Sequence, residues 1–348
     1  MMADVKTDIT AITSIHAPVL LQDCVDLVTP ALQHEGSIVV DCTLGLAGHA
    51  TAFLKAAPSA TLIGIDRDAE ALALATERMR SEGLEQRFIP AHAAFDDIDE
   101  VLRENHIDGI DAAFMDLGLS SLQIDEADRG FSYSHDTALD MRMDTTQSVT
   151  AATILATYDV RELAKIFREY GQERFASLIA RRIVEARQSQ PFTTSGQLVR
   201  LVDDVIPKAH RATGNPAKRV FQALRIEVNG ELDKLQRTLP KIALHLRTHG
   251  RLVVESYHSL EDTTVKRFMS QGLTVDVPAN MPVVPDDAQP FFAALTRGAL
   301  KASKEELARN TRSSSVRLRA VELVRPIPHR WIARLEDAAG RASQKEVR

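Results

Sequence analysis

The chain has 348 residues, 44% apolar and 26% charged, which is core enough for more than one domain and excludes disorder and fibrous repeats. Lys and Arg total 42 against 48 Asp and Glu, a formal charge of -6, so a nucleic-acid partner has to be met by local basic patches rather than by the whole field. The 2 cysteines, Cys24 and Cys42, exclude a disulfide framework, and with no paired Cys/His spacing no metal is expected. No stretch approaches the ~20 apolar residues of a membrane span and the N-terminus lacks a signal-like apolar run, so the expectation is a cytoplasmic protein.

From Ile38 to Asp116 short apolar runs alternate with helical periods. Strands are predicted over 38–42, 61–65, 87–91 and 110–115, with Leu72, Ala75 and Met79 at helical spacing between the second and third. This alternation implies a parallel sheet with right-handed crossovers. Beyond about Asp125 the strand signal stops. Val160, Leu163, Ala164, Phe167 and Tyr170 predict a helix opened by Asp159 and Glu162 at capping-box spacing and stopped at Gly171. Phe175, Leu178, Ile179, Ile183 and Ala186 predict a second, with Arg174, Arg181, Arg182 and Arg187 largely off its apolar stripe, and a third begins near Thr194.

An amphipathic region over 220–246 and a strand over 252–257 resume the α/β pattern, so the helical stretch interrupts one sheet. Ser259 with Asp262 predicts a capped helix through Phe268, Pro278 to Pro290 a long loop, and 316–324 a late antiparallel strand. The expected domains are a discontinuous α/β domain over 15–125 and 217–335, a helical substrate-recognition insert over 126–216, and loose tails over 1–14 and 336–348.

Asp41-Cys-Thr-Leu-Gly-Leu-Ala-Gly-His49 follows the first strand and opens a helix. A dinucleotide fingerprint needs GxGxxG and a bare helix N-terminus for pyrophosphate, whereas here the spacing is GxxG and the strand ends in an acid that would repel it. A carboxylate at that place suits an ammonium and a sulfonium, as in S-adenosylmethionine. Asp66 closes the second strand, where an acid can accept both ribose hydroxyls in either cofactor class. A turn of this kind can also pack a helix on a strand and bind nothing.

Ordered motifs from about residue 16 to about 320 resemble one family, the bacterial ribosomal RNA small subunit methyltransferase H (RsmH, or MraW) family. They comprise 16–21, the 41–49 loop, Gly64-Ile-Asp-Arg-Asp68, 115–125, Arg129-Gly-Phe-Ser-Tyr133, 139–144, 215–229, Ser256-Tyr-His-Ser-Leu-Glu-Asp262 and Asn310-Thr-Arg-Ser313. The resemblance implies a class I S-adenosylmethionine-dependent methyltransferase, a Rossmann-like doubly wound sheet with an inserted all-helical domain. The implied reaction is N4-methylation of a cytidine in the decoding centre of 16S ribosomal RNA. It places the cofactor contacts on Ala47, Gly48, His49, Asp66, Phe95, Asp116 and Gln123, to which the charge argument adds Asp41. The family usually has glycine, serine, proline and phenylalanine where this chain has Ala47, Ala50, Leu122 and Tyr257, and a methyl group at Ala47 narrows the backbone approach.

The cytosine N4 lone pair is delocalised, so alignment with the sulfonium methyl should dominate catalysis. Asp116 ends the fourth strand beside the switch point and is the acceptor expected by location, while the resemblance assigns it to the cofactor. His258, in the polar cluster ending the 252–257 strand, stands where a general base or base-edge reader would. Arg129, Phe131 and Tyr133 form a basic-aromatic group suited to an unpaired base, and equally a core pair. Lys208, His210, Arg211, Lys218, Arg219 and Arg225 form an acid-free stretch, and Arg309, Arg312, Arg317 and Arg319 another, each suited to phosphates or simply to solvent. The partner expected is small-subunit ribosomal RNA or the assembled subunit, with a homodimer left open and no membrane. The rival readings are a non-catalytic RNA-binding or ribosome-assembly protein and a nicotinamide-dependent oxidoreductase.

Overall fold

The computed structural model describes residues 18–119, 129–207, 215–277 and 283–341. The chain divides into two compact units, Met1–Gly118 with Leu232–Arg348, and Leu119–Glu231. The first is built on a 7-stranded sheet of order β3-β2-β1-β4-β5-β7-β6. Its strands are β1 (Ile38–Asp41), β2 (Thr61–Asp66), β3 (Phe88–His92), β4 (Ile110–Asp116), β5 (Leu246–Ser256), β6 (Phe292–Ala294) and β7 (Arg317–Leu323). Strands β1 to β5 pair in parallel, whereas β7 runs antiparallel to both β5 and β6.

The short apolar runs become central strands because both faces are covered: every residue of β4 from Ile110 to Met115 is buried. Alternate residues enter different apolar clusters, with Val40, Ile63 and Ile65 in one and Val39 and Leu62 in the other, as the two-residue period of a strand requires. Chain order reverses between β1 and β4, and the reversed β7 lies between β5 and β6. This is a doubly wound, Rossmann-like arrangement.

The helices follow local signals. Asp68 caps Ala69–Ser81, its Oδ1 accepting from the Glu70 and Ala71 amides at 3.1 and 3.4 Å. His329–Arg341 is a helix that runs through 336, where the loose tail was expected to start. Trp331 and Leu335, one turn apart, anchor it in the core, and the Arg334 guanidinium sits 4.7 Å from the Trp331 ring centroid.

The second unit is all helical: Ala151–Thr157, Val160–Glu169, Ala176–Ala186, Ser195–Val205 and Lys218–Asn229. The Asp159 capping box forms, with Asp159 Oδ1 accepting from the Glu162 amide at 2.8 Å and Glu162 Oε2 from the Asp159 amide at 2.7 Å. This unit extends past the expected 126–216, because Phe221 and Leu224 of Lys218–Asn229 belong to its core. Asn229 ties it further, donating to Met141 O at 2.8 Å and accepting from the Met143 amide at 2.9 Å. The amphipathic 220–246 region is thus two helices, the second being Glu231–His245.

Candidate active site

The carboxyl edge of the sheet is lined by acids. Asp41, Asp66 and Asp116 end β1, β2 and β4, and Glu255 stands one residue before the end of β5, directly paired with Asp116. The loop after β1 is sewn to neighbouring strands: the Cys42 amide donates to Phe114 O at 2.9 Å, Leu44 to Ile65 O at 3.0 Å and Gly45 to Asp66 Oδ2 at 2.8 Å. Gly48 then opens the helix Gly48–Ala56, and a Cβ at that position would lie 2.5 Å from Pro18 Cγ, so only glycine allows this approach. Ala47 takes a left-handed φ of 58° and is fully buried in an apolar cluster.

Each acid has a distinct environment. Asp41 is 1% exposed and its Oδ1 accepts from the Thr43 amide at 3.1 Å. Burial pushes its carboxyl up to about 8, opposed by that hydrogen bond and reinforced by the negative Asp116 and Asp66. Asp66 accepts from Gly45 through one oxygen and from the Asp68 amide at 2.9 Å through the other, which leaves lone pairs for further donors, and burial raises it as well. Asp116 is 32% exposed at its side chain. Tyr257 Oη donates to its Oδ1 at 2.8 Å, and its backbone amide donates to Thr43 Oγ1 at 2.6 Å.

His49 lies beneath Asp116, buried against Phe114 with ring centroids 4.6 Å apart. Its Nε2 is 2.9 Å from Val19 O, a group that can only accept, so that nitrogen carries the proton. Nδ1 is 3.9 Å from Asp116 Oδ2 and Nε2 is 3.7 Å from Glu255 Oε2. Burial lowers the imidazole's proton affinity and favours the neutral ring. Phe95 is half-buried at the start of a 3-10 turn just after β3, and Gln123 falls outside the described residues. The edge thus combines small residues that expose backbone with buried carboxyl groups whose ionised form a cationic ligand would favour.

His258 has a local structural part as well as its expected one. It is the N-cap of the helix Ser259–Leu273, one residue before the expected cap at Ser259, and the box partner is Glu261 rather than Asp262. Its Nδ1 accepts from the Glu261 amide at 3.3 Å, its Nε2 lies 3.1 Å from Glu261 Oε1, and Glu261 Oε2 accepts from the His258 amide at 3.1 Å. Nδ1 is therefore taken up by the cap, while Nε2, though near Glu261, makes no hydrogen bond of ordinary geometry among the described residues. His258→Ala is expected to destabilise the fold by about 1 kcal/mol, the usual worth of an N-cap, and to leave methyl transfer largely intact. Unchanged thermal stability with a large loss of single-turnover rate would return this ring to the chemistry.

Several expected nucleic-acid contacts are used internally. Phe131 is in the helical core, and Tyr133 packs edge-on against Phe221 with centroids 6.0 Å apart. Arg129 Nη2 donates to Met143 O at 3.1 Å, and Arg225 makes a two-pronged pair with Glu231 at 2.9 and 2.8 Å. Arg317 and Arg319 both bind Asp262, at 3.0 and 2.7 Å, and hold its carboxyl below the usual range despite burial. Arg312 is half-buried, Lys218 and Arg219 are exposed, and Lys208, His210 and Arg211 fall outside the described residues. Glu255 and Thr43 went unnoticed in the sequence. An acid inside Leu-Val-Val-Glu-Ser was the available signal for Glu255, since a lone charge in an apolar strand has to be buried.

The model of the MraW methylase family matches residues 13–324. The ribosomal RNA small subunit methyltransferase H of Bifidobacterium adolescentis is 69% identical over 334 residues, 96% of this chain and 97% of that protein. The protein of the same name from Beutenbergia cavernae is 50% identical across 91% of this chain and 95% of its own length. Among solved structures, an rRNA methylase from Streptococcus thermophilus covers 88% of this chain and 94% of that one, at 12% identity and a TM-score of 0.37.

Proposed function

The chain belongs to the MraW methylase family, and from that membership and the acids of its carboxyl edge we propose an S-adenosylmethionine-dependent methyltransferase acting on N4 of a cytidine in the decoding centre of small-subunit ribosomal RNA. The observation that carries the donor is the row of Asp41, Asp66 and Asp116 at neighbouring strand ends beside the Gly48 helix start. A buried carboxylate such as Asp41 calls for a cation, and the remaining lone pairs of Asp66 suit two ribose hydroxyls. The same carboxylate at a pyrophosphate would be repulsive, which disfavours a nicotinamide cofactor.

When bound, the donor supplies a methyl group on a positively charged sulfur. The chain's residues position and deprotonate the acceptor. Near-attack alignment can contribute on the order of 7 kcal/mol, so the rigidity of the site matters as much as its charges. Asp116 accepts a hydrogen bond from the N4 amine and takes its proton as the carbon–nitrogen bond forms. Tyr257 and Thr43 fix Asp116 from the side-chain and backbone ends, and its partial exposure leaves an oxygen available to a base. Nucleoside mass analysis of small-subunit ribosomal RNA incubated with protein and donor tests the reading. Appearance of N4-methylcytidine supports it, and RNA binding without any methylated nucleoside would favour a non-catalytic assembly protein.

For the RNA contacts we look to the cations left without an acid. Arg168, Arg174, Arg181 and Arg182 of the helical unit are exposed and have no ion pair among the described residues. Arg168 and Arg181 converge on Ser177, at 3.1 Å to its Oγ and 3.3 Å to its backbone oxygen. Arg168→Glu with Arg181→Glu should weaken RNA binding and lower the salt slope by about 1 for each phosphate no longer neutralised, with donor affinity unchanged. An unaltered salt slope would show that these arginines merely face solvent.

A further inference from the structure

Behind the edge, three potential metal ligands meet in a dry part of the sheet unit. Cys24, on the helix Leu21–Val28, and Glu255, on β5, are both fully buried, and His49 is 6% exposed. One ligand atom from each lies within 4.8 Å of the others, and the Nε2 to Oε2 separation is 3.7 Å. Neither oxygen of Glu255 makes a hydrogen bond of ordinary geometry among the described residues. A buried carboxyl group left in that state is costly, and in a native protein it calls for a specific explanation such as an ion.

We propose that Cys24, His49 and Glu255 form a binding site for one divalent cation of the zinc type, lying beneath Asp116 and behind the carboxyl edge, with His49 shared between this cluster and the expected donor contacts. Thiolate, imidazole and carboxylate are a donor set for zinc rather than for magnesium or calcium, which prefer all-oxygen shells. Charge balance fits as well: one thiolate and one carboxylate neutralise a divalent ion. Val19 O, 2.9 Å from His49 Nε2, is close enough to serve as a further oxygen donor. Ligand atoms on one tetrahedral zinc stand roughly 3.3–3.8 Å apart given bond lengths of about 2.0–2.3 Å, so the widest pair has to close by about 1 Å through side-chain rotation.

Proton balance follows from the ligands. Ion binding displaces the Cys24 thiol proton, because the thiolate and not the thiol is the ligand. The imidazole keeps one proton, which moves from Nε2 to Nδ1 and so faces Asp116 Oδ2, 3.9 Å away. A carboxylate on the far side of a metal-bound histidine is a common way of orienting the ring, and it couples this site to Asp116 without adding a ligand to the substrate side.

The test uses the full chain, stripped with chelator and titrated with zinc and with cobalt as a spectroscopic probe. The proposal expects one ion per chain, proton release on binding, and a thiolate-to-cobalt charge-transfer band. Cys24→Ser should abolish that band and Cys42→Ser should keep it. Glu255→Gln should weaken zinc by more than the roughly 10–100-fold that an outer-shell partner is worth. Circular dichroism of each variant separates loss of the site from loss of the fold. Absence of stoichiometric zinc from the correctly folded wild-type chain, or a band that survives Cys24→Ser, overturns the proposal and leaves a neutral cluster of acid, thiol and imidazole.

Discussion

Asp116→Asn should lower single-turnover methyl transfer by about 10² or more while weakening donor binding far less. Asparagine preserves the size of the side chain, and its oxygen can still accept from Tyr257 Oη, which lies 2.8 Å from Asp116 Oδ1. What disappears is the negative charge beside the acceptor amine and a site for its proton. Because the amine becomes acidic only as the new bond forms, an interaction with Asp116 strengthens toward the transition state and should be read mainly in the rate. Tyr257→Phe gives a graded control, since it leaves the carboxylate but removes the donor that holds it, and a loss of about 10-fold is expected. A single-turnover rate unchanged in Asp116→Asn, with donor affinity reduced, would assign the residue to the cofactor alone.

The acids of the edge were readable because each closes an apolar run: Asp41 after Ile-Val-Val, Asp66 after Leu-Ile-Gly-Ile and Asp116 after Ala-Ala-Phe-Met. Period and polarity are local properties, and a sheet with helices on both faces preserves them. The expected nucleic-acid contacts were not readable in the same way, because the acids that pair with Arg317 and Arg319 come from elsewhere in the chain. Asp262 is 55 and 57 residues from Arg317 and Arg319. An acid-free stretch of sequence therefore does not make an acid-free surface.

His258 illustrates a different limit. Ser259 with Asp262 and His258 with Glu261 are the same spacing shifted by one residue, and only the point where the backbone turns from β5 into the helix decides between them. The boundary of the helical unit also depended on tertiary packing. Lys218–Asn229 has the same amphipathic character as the helix after it, and the anchoring of Asn229 to Met141 and Met143 joins positions 86 and 88 residues apart.

Donor binding should tighten with pH and expel a proton, with Asp41 as the group responsible. Its carboxyl is near 8 in the folded chain against 3.8 as the ordinary value, so it is largely protonated at neutral pH when no cation is present. A sulfonium or ammonium nearby favours the ionised form, and affinity should therefore rise by up to tenfold per pH unit below about 8 and level off above it. For stability the sign is opposite. Between about pH 4 and 8 the folded chain holds a proton that the unfolded chain has released, so the stability that Asp41 contributes at low pH is lost as pH rises through that window. Asp41→Asn keeps an oxygen for the Thr43 amide and cannot ionise. It should raise the melting temperature at pH 8, weaken the donor, and abolish the part of the pH dependence due to this group. The titration of Asp66, Asp116, Glu255 and His49 remains in the variant, so the difference between the two proteins isolates Asp41. Calorimetry in buffers of unequal ionisation enthalpy counts the released proton. Equal proton release by wild type and Asp41→Asn, with the same pH profile of donor affinity, would show that the Asp41 charge plays no part in holding the donor.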